Sequence, residues 1–311
     1  MIRANDLILL LVLFSSMVAG ILAPGFGALF QPYPLYLMMA FFFLSLLPIR
    51  LDAIWDTLRK GWLFIALLSS VKIVFLPVAV FFLFKAVFPE YALGALLIAG
   101  ISTGVVAPFI SNLVGANSAL VLVLVVVTSP LVPFTLPVLV KLLSEQAMAL
   151  SLFAMIRMLA LVVFIPLLVV EILRRITPRL LEAIDRRRFP ISLVLFATIN
   201  LAVFSKYSVY FHQKPATILV AAAVAVALAS IYFGVGMVLS RQRPLEDQLA
   251  AVVSMGNINN VLVIVFAARF FSPLEPTLAA MYMIPFFGLI APLRIYGRRR
   301  RAVHAEVGES G

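Results

Sequence analysis

Cysteine is absent from the chain. There can be no disulfide framework, no thiolate metal site and no cysteine nucleophile. Histidine is nearly absent: His212 and His304 both lie in hydrophilic segments, so a buried histidine metal centre is not expected. Charge is scarce, at 12% of 311 residues. There is no nucleotide-binding loop, no H-E-x-x-H, no G-x-S-x-G and no pair of carboxylates inside an apolar run, which argues against an enzyme and calls for no cofactor. What remains is apolar: 64% of residues are hydrophobic and the mean hydropathy is +1.15. Soluble domains of this length do not have that composition, so the chain reads as an all-α polytopic membrane protein.

A membrane-spanning helix needs about 20 apolar residues. On that rule ten spans are expected, at 6–24, 32–48, 62–84, 91–111, 116–140, 152–173, 190–210, 215–239, 248–270 and 276–294. The first apolar run reads as a retained span, not a signal peptide. The net charge of +11 raises nucleic acid as a partner, but the basic residues cluster in short loops and the tail, as topology requires. With a cytoplasmic N-terminus, the clusters at Arg50 to Lys60, Arg174 to Arg188, Arg241 to Arg243 and Arg298 to Arg301 fall on the cytoplasmic side. The other side holds only Lys85, Lys141, Lys206, Lys214 and Arg269. Both termini are therefore expected in the cytoplasm of a cell that carries the chain in its inner or plasma membrane. The basic tail reads as a topology anchor in contact with anionic lipid, with no nucleic acid.

Ten spans divide as five plus five, and the second set starts from the side opposite to the first. That implies two inverted repeats, 1–145 and 146–296, followed by a basic cytoplasmic tail, 297–311. Such repeats are common in secondary transporters. A polar interruption in span nine, Ser254-Met255-Gly256-Asn257-Ile258-Asn259-Asn260, sits between apolar runs. In lipid it can survive only facing protein or a watery cavity. Taken alone it fits either a polar contact between helices or a broken helix lining a solute site. Span four carries a second interruption, Ser102-Thr103-Gly104-Val105-Val106-Ala107-Pro108, then Ser111-Asn112. Interruptions at equivalent places in two inverted halves favour the solute site. Gly104, Pro108 and Gly256 are the expected helix-breaking residues. Asn257, Asn259, Asn260, Ser102, Thr103, Ser111 and Asn112 are the candidate substrate-binding residues. Spans five and ten, with Pro130, Pro133, Pro137, Pro285 and Pro292, read as kinked neighbours.

Lys72 lies near the centre of span three among mostly apolar residues. A lysine there costs about 2.5–3.5 kcal/mol on insertion scales and is a functional candidate by default. The open carbonyls of the broken helices, or Asn257, Asn259 and Ser254, are its candidate partners. Arg157, in the first turns of span six, reads as an interfacial residue; its functional alternative is attracting an anionic solute. Glu171 with Arg174 and Arg175 reads as an interfacial pair.

Several segments resemble the bile acid:sodium symporter family, within a larger group that includes arsenite and auxin-type carriers. These are 33–55 (YPLYLMMAFFFLSLLPIRLDAIW), Ile231-Tyr232-Phe233-Gly234-Val235-Gly236 and Arg243-Pro244-Leu245-Glu246-Asp247-Gln248, together with Gly256 and Asn259 in the family's Glu-x-Gly-x-Gln-Asn pattern. The resemblance implies a core domain of spans three to five and eight to ten, with spans four and nine broken and crossed. A panel domain of spans one, two, six and seven stands against it, and an organic anion binds between them. It also implies departures. The family's sodium-binding Glu and Gln fall on Ser254 and Ile258, its Ser-Asn pair on Ala107 and Pro108, and its span-three Gln on Lys72, five residues before Pro77. The expectation is a sodium-independent secondary transporter of a small organic anion. Lys72 and Ser254 would form the former ion site, and protonation of Lys72 would couple to transport. An auxin-type organic-acid exporter and a non-transporting receptor of carrier fold stay open as alternatives. The arsenite carriers' core cysteine has no counterpart.

Overall fold

The computed structural model describes residues 4–49, 54–145, 149–288 and 290–309. Among them there is no strand, only one isolated antiparallel bridge between Thr103 and Ile258. The helices in order are α1 (Ala4–Leu22), α2 (Pro24–Ala28), α3 (Pro34–Leu46), α4 (Ile54–Ser70), α5 (Leu76–Val87), α6 (Ala92–Gly100), α7 (Ala107–Val114), α8 (Ser118–Leu143) and α9 (Leu152–Ile176). They continue as α10 (Pro178–Arg186), α11 (Arg188–Lys206), α12 (Ser208–Gln213), α13 (Ala216–Ser240), α14 (Leu245–Gly256), α15 (Asn260–Phe270), α16 (Leu274–Met281), α17 (Met283–Gly288) and α18 (Ile290–Glu309).

Six helical stretches of the described residues are long and apolar enough to cross a membrane: Thr57–Val87, α8, α9, α11, α13 and Leu274–Arg301. The helices α3 and α15 are apolar but shorter. Large apolar side chains face outward on these elements, among them Phe75, Phe82, Leu219 and Val238. In water so many would be a liability; against lipid tails they cost nothing. The expected spans 91–111 and 248–270 are each two helices separated by an extended gap.

The local signals for these elements are ordinary ones. Asn117 caps α8 by accepting from the Leu120 N–H at 3.1 Å, and Ser151 caps α9 by accepting from the Ala154 N–H at 3.2 Å. Pro244 precedes α14, whose first turn carries Glu246 and Asp247 at the positive end of the helix dipole. Pro130, Pro133 and Pro137 do not interrupt α8. The expected interfacial pair at the end of α9 separates into two roles. Arg175 bonds Glu171 at 2.8 Å, while Arg174 donates to the Ile49 carbonyl at 2.8 Å and ties α9 to the chain beyond α3.

Two packing groups emerge. Helices α1, α2, α3, α9 and α11 pack on one another, and α4 to α8 pack with α13 to α16. The second group holds the densest interior: every residue from Gln248 to Ala268 is buried. The close fit of α13 on α14 depends on Gly236, where a Cβ would sit 2.7 Å from the Val252 Cα.

Candidate functional site

The two extended gaps cross and pair. The Gly104 N–H donates to the Asn257 carbonyl at 2.7 Å, and the Asn259 N–H donates to the Ser102 carbonyl at 3.0 Å. Such a short two-way pairing satisfies backbone groups that no helix can reach there. Gly104 is required by contact: a Cβ would lie 2.5 Å from the Ile258 carbonyl oxygen.

A helix that stops inside the protein leaves its last carbonyls without intrahelical donors. At the end of α14 each one is met in turn. The Val253 carbonyl takes the Asn257 N–H at 2.8 Å. The Ser254 carbonyl takes the Thr103 hydroxyl at 3.0 Å, and the Met255 carbonyl takes Lys72 Nζ at 2.6 Å. The Gly256 carbonyl takes the Tyr282 hydroxyl at 2.8 Å. Beyond the helix's own last bond, three separate elements, carrying Lys72, Thr103 and Tyr282, therefore converge on one helix end.

Lys72 reaches this place from a π-helical turn, Val71–Phe75. The Leu76 N–H bonds back to the Val71 carbonyl, five residues away. Pro77 follows at once; it has no N–H to give to the Ile73 carbonyl, and its ring would crowd that carbonyl in a regular α-helix. A widened turn at this point matches the tendency of π-turns to sit at functional positions. Lys72 is 1% exposed. Beyond its bond to Met255, its Nζ lies 5.8 Å from the centre of the Tyr232 ring. Among the described residues it forms no ion pair. Its charge rests on a helix C-terminus, where cations are favoured.

The other candidates from the sequence fall in three places. Ser102, Thr103, Ser254, Asn257, Asn259 and Asn260 are all buried at the crossing. Asn257 donates to the Phe286 carbonyl at 3.3 Å and Asn260 to the Ala279 carbonyl. Even so, Ser102 Oγ, Ser254 Oγ, Asn257 Oδ1, Asn259 Nδ2 and Asn260 Oδ1 are buried without partners among the described residues. Buried polar atoms are rarely left so, and a cluster of them marks a place meant for a ligand or solvent. Gly256 ends α14, as expected of a helix breaker. Pro108, by contrast, stands in the first turn of α7, where it starts a helix; the preceding helix has already ended at Gly100. Ser111 is buried, but its hydroxyl is spent on the Pro108 carbonyl at 2.6 Å, and Asn112 is exposed on α7.

A cavity of about 640 Å³ opens between α3, α9, α11 and α15. Its lining carries Arg157, Lys206, Arg269 and Gln31 among apolar residues such as Met39, Met158 and Val265, with no acidic residue among the described ones. The interfacial reading of Arg157 is therefore incomplete, since the side chain borders this cavity. Lys206 and Arg269 look like mere topology markers in the sequence. Lys206 Nζ and the Tyr207 hydroxyl both donate to the Ala268 carbonyl, at 3.0 and 2.9 Å, joining α11 to the end of α15. A smaller cavity of about 60 Å³ lies at the crossing, bordered by Gly104, Asn259 and Asn260 on one side and by Phe41 and Phe196 on the other.

A family model described as the sodium bile acid symporter family matches residues 33–214, more than half of the chain. No curated protein matches it.

Proposed function

The chain belongs to the sodium bile acid symporter family, and on that premise we propose that it is a secondary active transporter of a small organic anion that works without sodium. The family's members are membrane transporters of bile-acid or organic-anion type, and this chain is a multi-pass membrane protein. In the proposal the ten spans form two inverted repeats, 1–145 and 146–296, with both termini in the cytoplasm. The group α4 to α8 with α13 to α16 acts as the core, and α1 to α3 with α9 and α11 acts as the panel. Rocking of one against the other gives alternating access.

One observation carries the sodium-independent reading: Lys72 Nζ sits on the Met255 carbonyl at 2.6 Å, inside the crossing of the two gaps. A fixed ammonium on a carbonyl already does what a bound monovalent cation would do there, and it repels a second cation at close range. Ser254 and Ile258, where the family's motif has Glu and Gln, add no negative charge. The anion preference is supported by Arg157, Lys206 and Arg269 around a cavity with no acidic lining residue among the described ones, and by the N-termini of α7 and α15, which present positive dipole ends. The anion and the lipid bilayer are the partners this reading requires.

Uptake of cholate into proteoliposomes tests it, with sodium exchanged for choline at constant ionic strength and with pH varied. The expected result is uptake indifferent to sodium and sensitive to pH, with proton-linked uptake abolished in Lys72→Gln. Uptake that rises with sodium in the wild type would overturn the reading.

A further inference from the structure

Asn200 lies within the apolar helix α11 and is fully buried, yet neither Nδ2 nor Oδ1 of its amide has a partner among the described residues. An amide buried in this way is destabilising unless something outside the chain completes it. Its position says what that is. Along α11 the residues Phe196, Asn200, Val203 and Tyr207 recur at helical spacing and share one stripe. Phe196 borders the small cavity with Asn259 and Asn260. Val203 borders the large cavity with Val265. Tyr207 bonds the Ala268 carbonyl on α15. The opposite face of α11 is occupied elsewhere, since Leu201 and Ser205 lie against Gly20 of α1 and Gly27 of α2. Asn200 is therefore one turn along α11 from Phe196 at the small cavity and one turn from Val203 at the large one, on the stripe that carries both.

We infer that Asn200 is a solute-binding residue contributed by α11, one turn from Phe196, which shares the small cavity with Asn259 and Asn260. An amide offers one donor group and one acceptor. It is completed by an organic acid that carries a hydroxyl or an N–H besides its carboxylate: the carboxylate accepts from Nδ2 and the second group donates to Oδ1. This rests on the anion-transport reading above and narrows its substrate class.

The test uses the full chain in lipid nanodiscs, with cholate and lactate as two hydroxylated carboxylate probes. Affinity and thermal stability are measured for the wild type, Asn200→Leu and Asn200→Asp. Leucine is close in size and removes two unsatisfied atoms, so Tm stays level or rises while probe affinity falls about tenfold, the scale of a lost buried hydrogen bond to a charged group. Aspartate places a negative charge against the anion and weakens binding further. Unchanged affinity in Asn200→Leu overturns the inference, as does a fall in Tm alongside the loss of affinity, which would mean that the amide is structural. If the wild type binds neither probe, the anion-transport reading itself fails, and the inference falls with it.

Discussion

Lys72 Nζ and the Met255 carbonyl oxygen, 2.6 Å apart, join two segments 183 residues apart in the chain. The bond couples a π-helical turn in one half to a helix end in the other, at the point where both broken segments cross. Removing either partner leaves a buried charge or a buried carbonyl uncompensated.

The first prediction concerns Lys72 itself. Lys72→Met removes the charge and leaves the Met255 carbonyl without a donor. An unsatisfied buried acceptor costs about 1–3 kcal/mol, but the substitution also relieves the chain of a costly buried ammonium. The expected outcome is a small change in Tm with anion transport abolished, read by thermal melts and cholate uptake on the same preparation.

Gly104→Ala forces a Cβ to within 2.5 Å of the Ile258 carbonyl oxygen. The crossing segments must separate, which costs about 1–3 kcal/mol, as overpacking does. Transport should fall sharply. Gly234→Ala is the matched control, because nothing lies within 4 Å of the added Cβ, and it should behave as wild type.

Tyr282→Phe deletes the donor to the Gly256 carbonyl while keeping the ring beside Tyr232, 5.9 Å away between centres. A loss of about 1–3 kcal/mol follows from the orphaned carbonyl, seen as a lower Tm. Tyr296→Phe touches no buried carbonyl and should leave Tm unchanged.

Arg157→Gln and Arg269→Gln remove positive charge from the large cavity. Anion affinity should fall several-fold in each. In the wild type it should weaken as ionic strength rises, since exposed charges are screened over about 8–10 Å in salt. A salt-independent affinity would separate this cavity from the anion's path.

The cysteine-free sequence makes the topology directly testable. Single cysteines at Lys214 and Arg241 should be labelled from opposite faces of sealed vesicles, Lys214 from outside and Arg241 only after permeabilisation. The reverse pattern would invert the proposed orientation.

Much of this arrangement is legible in the sequence because membrane helices obey a strong length and hydropathy rule. The span-nine gap could be placed because Gly256, Asn257 and Asn259 are polar or flexible within an apolar run. The span-four gap was harder to place. Pro108 draws attention as a breaker, but it opens α7, and the helix ends earlier, at Gly100, beside Ile101, which carries no turn signal. Asn112 shares the motif with Ser102 yet faces outward, because Ser102 lies in the gap between α6 and α7 while Asn112 stands on the exposed side of α7. Tyr282 passes unnoticed because a lone tyrosine in an apolar helix has no local signature; only the Gly256 carbonyl across the fold gives it a role. Lys206 and Arg269 enter the sequence reading only as charges assigned to one side of the membrane; their shared cavity depends on how α11 meets α15.

The measurement that bears most directly on the central claim is the thermal stability of the full chain in nanodiscs as sodium replaces choline at fixed ionic strength. A ligand that binds only the folded state raises stability in proportion to its saturation. With the Lys72 ammonium in the cation's place, Tm is predicted to stay constant across the series. A saturable rise in Tm with sodium would contradict the account, because it would show a sodium site alongside the lysine.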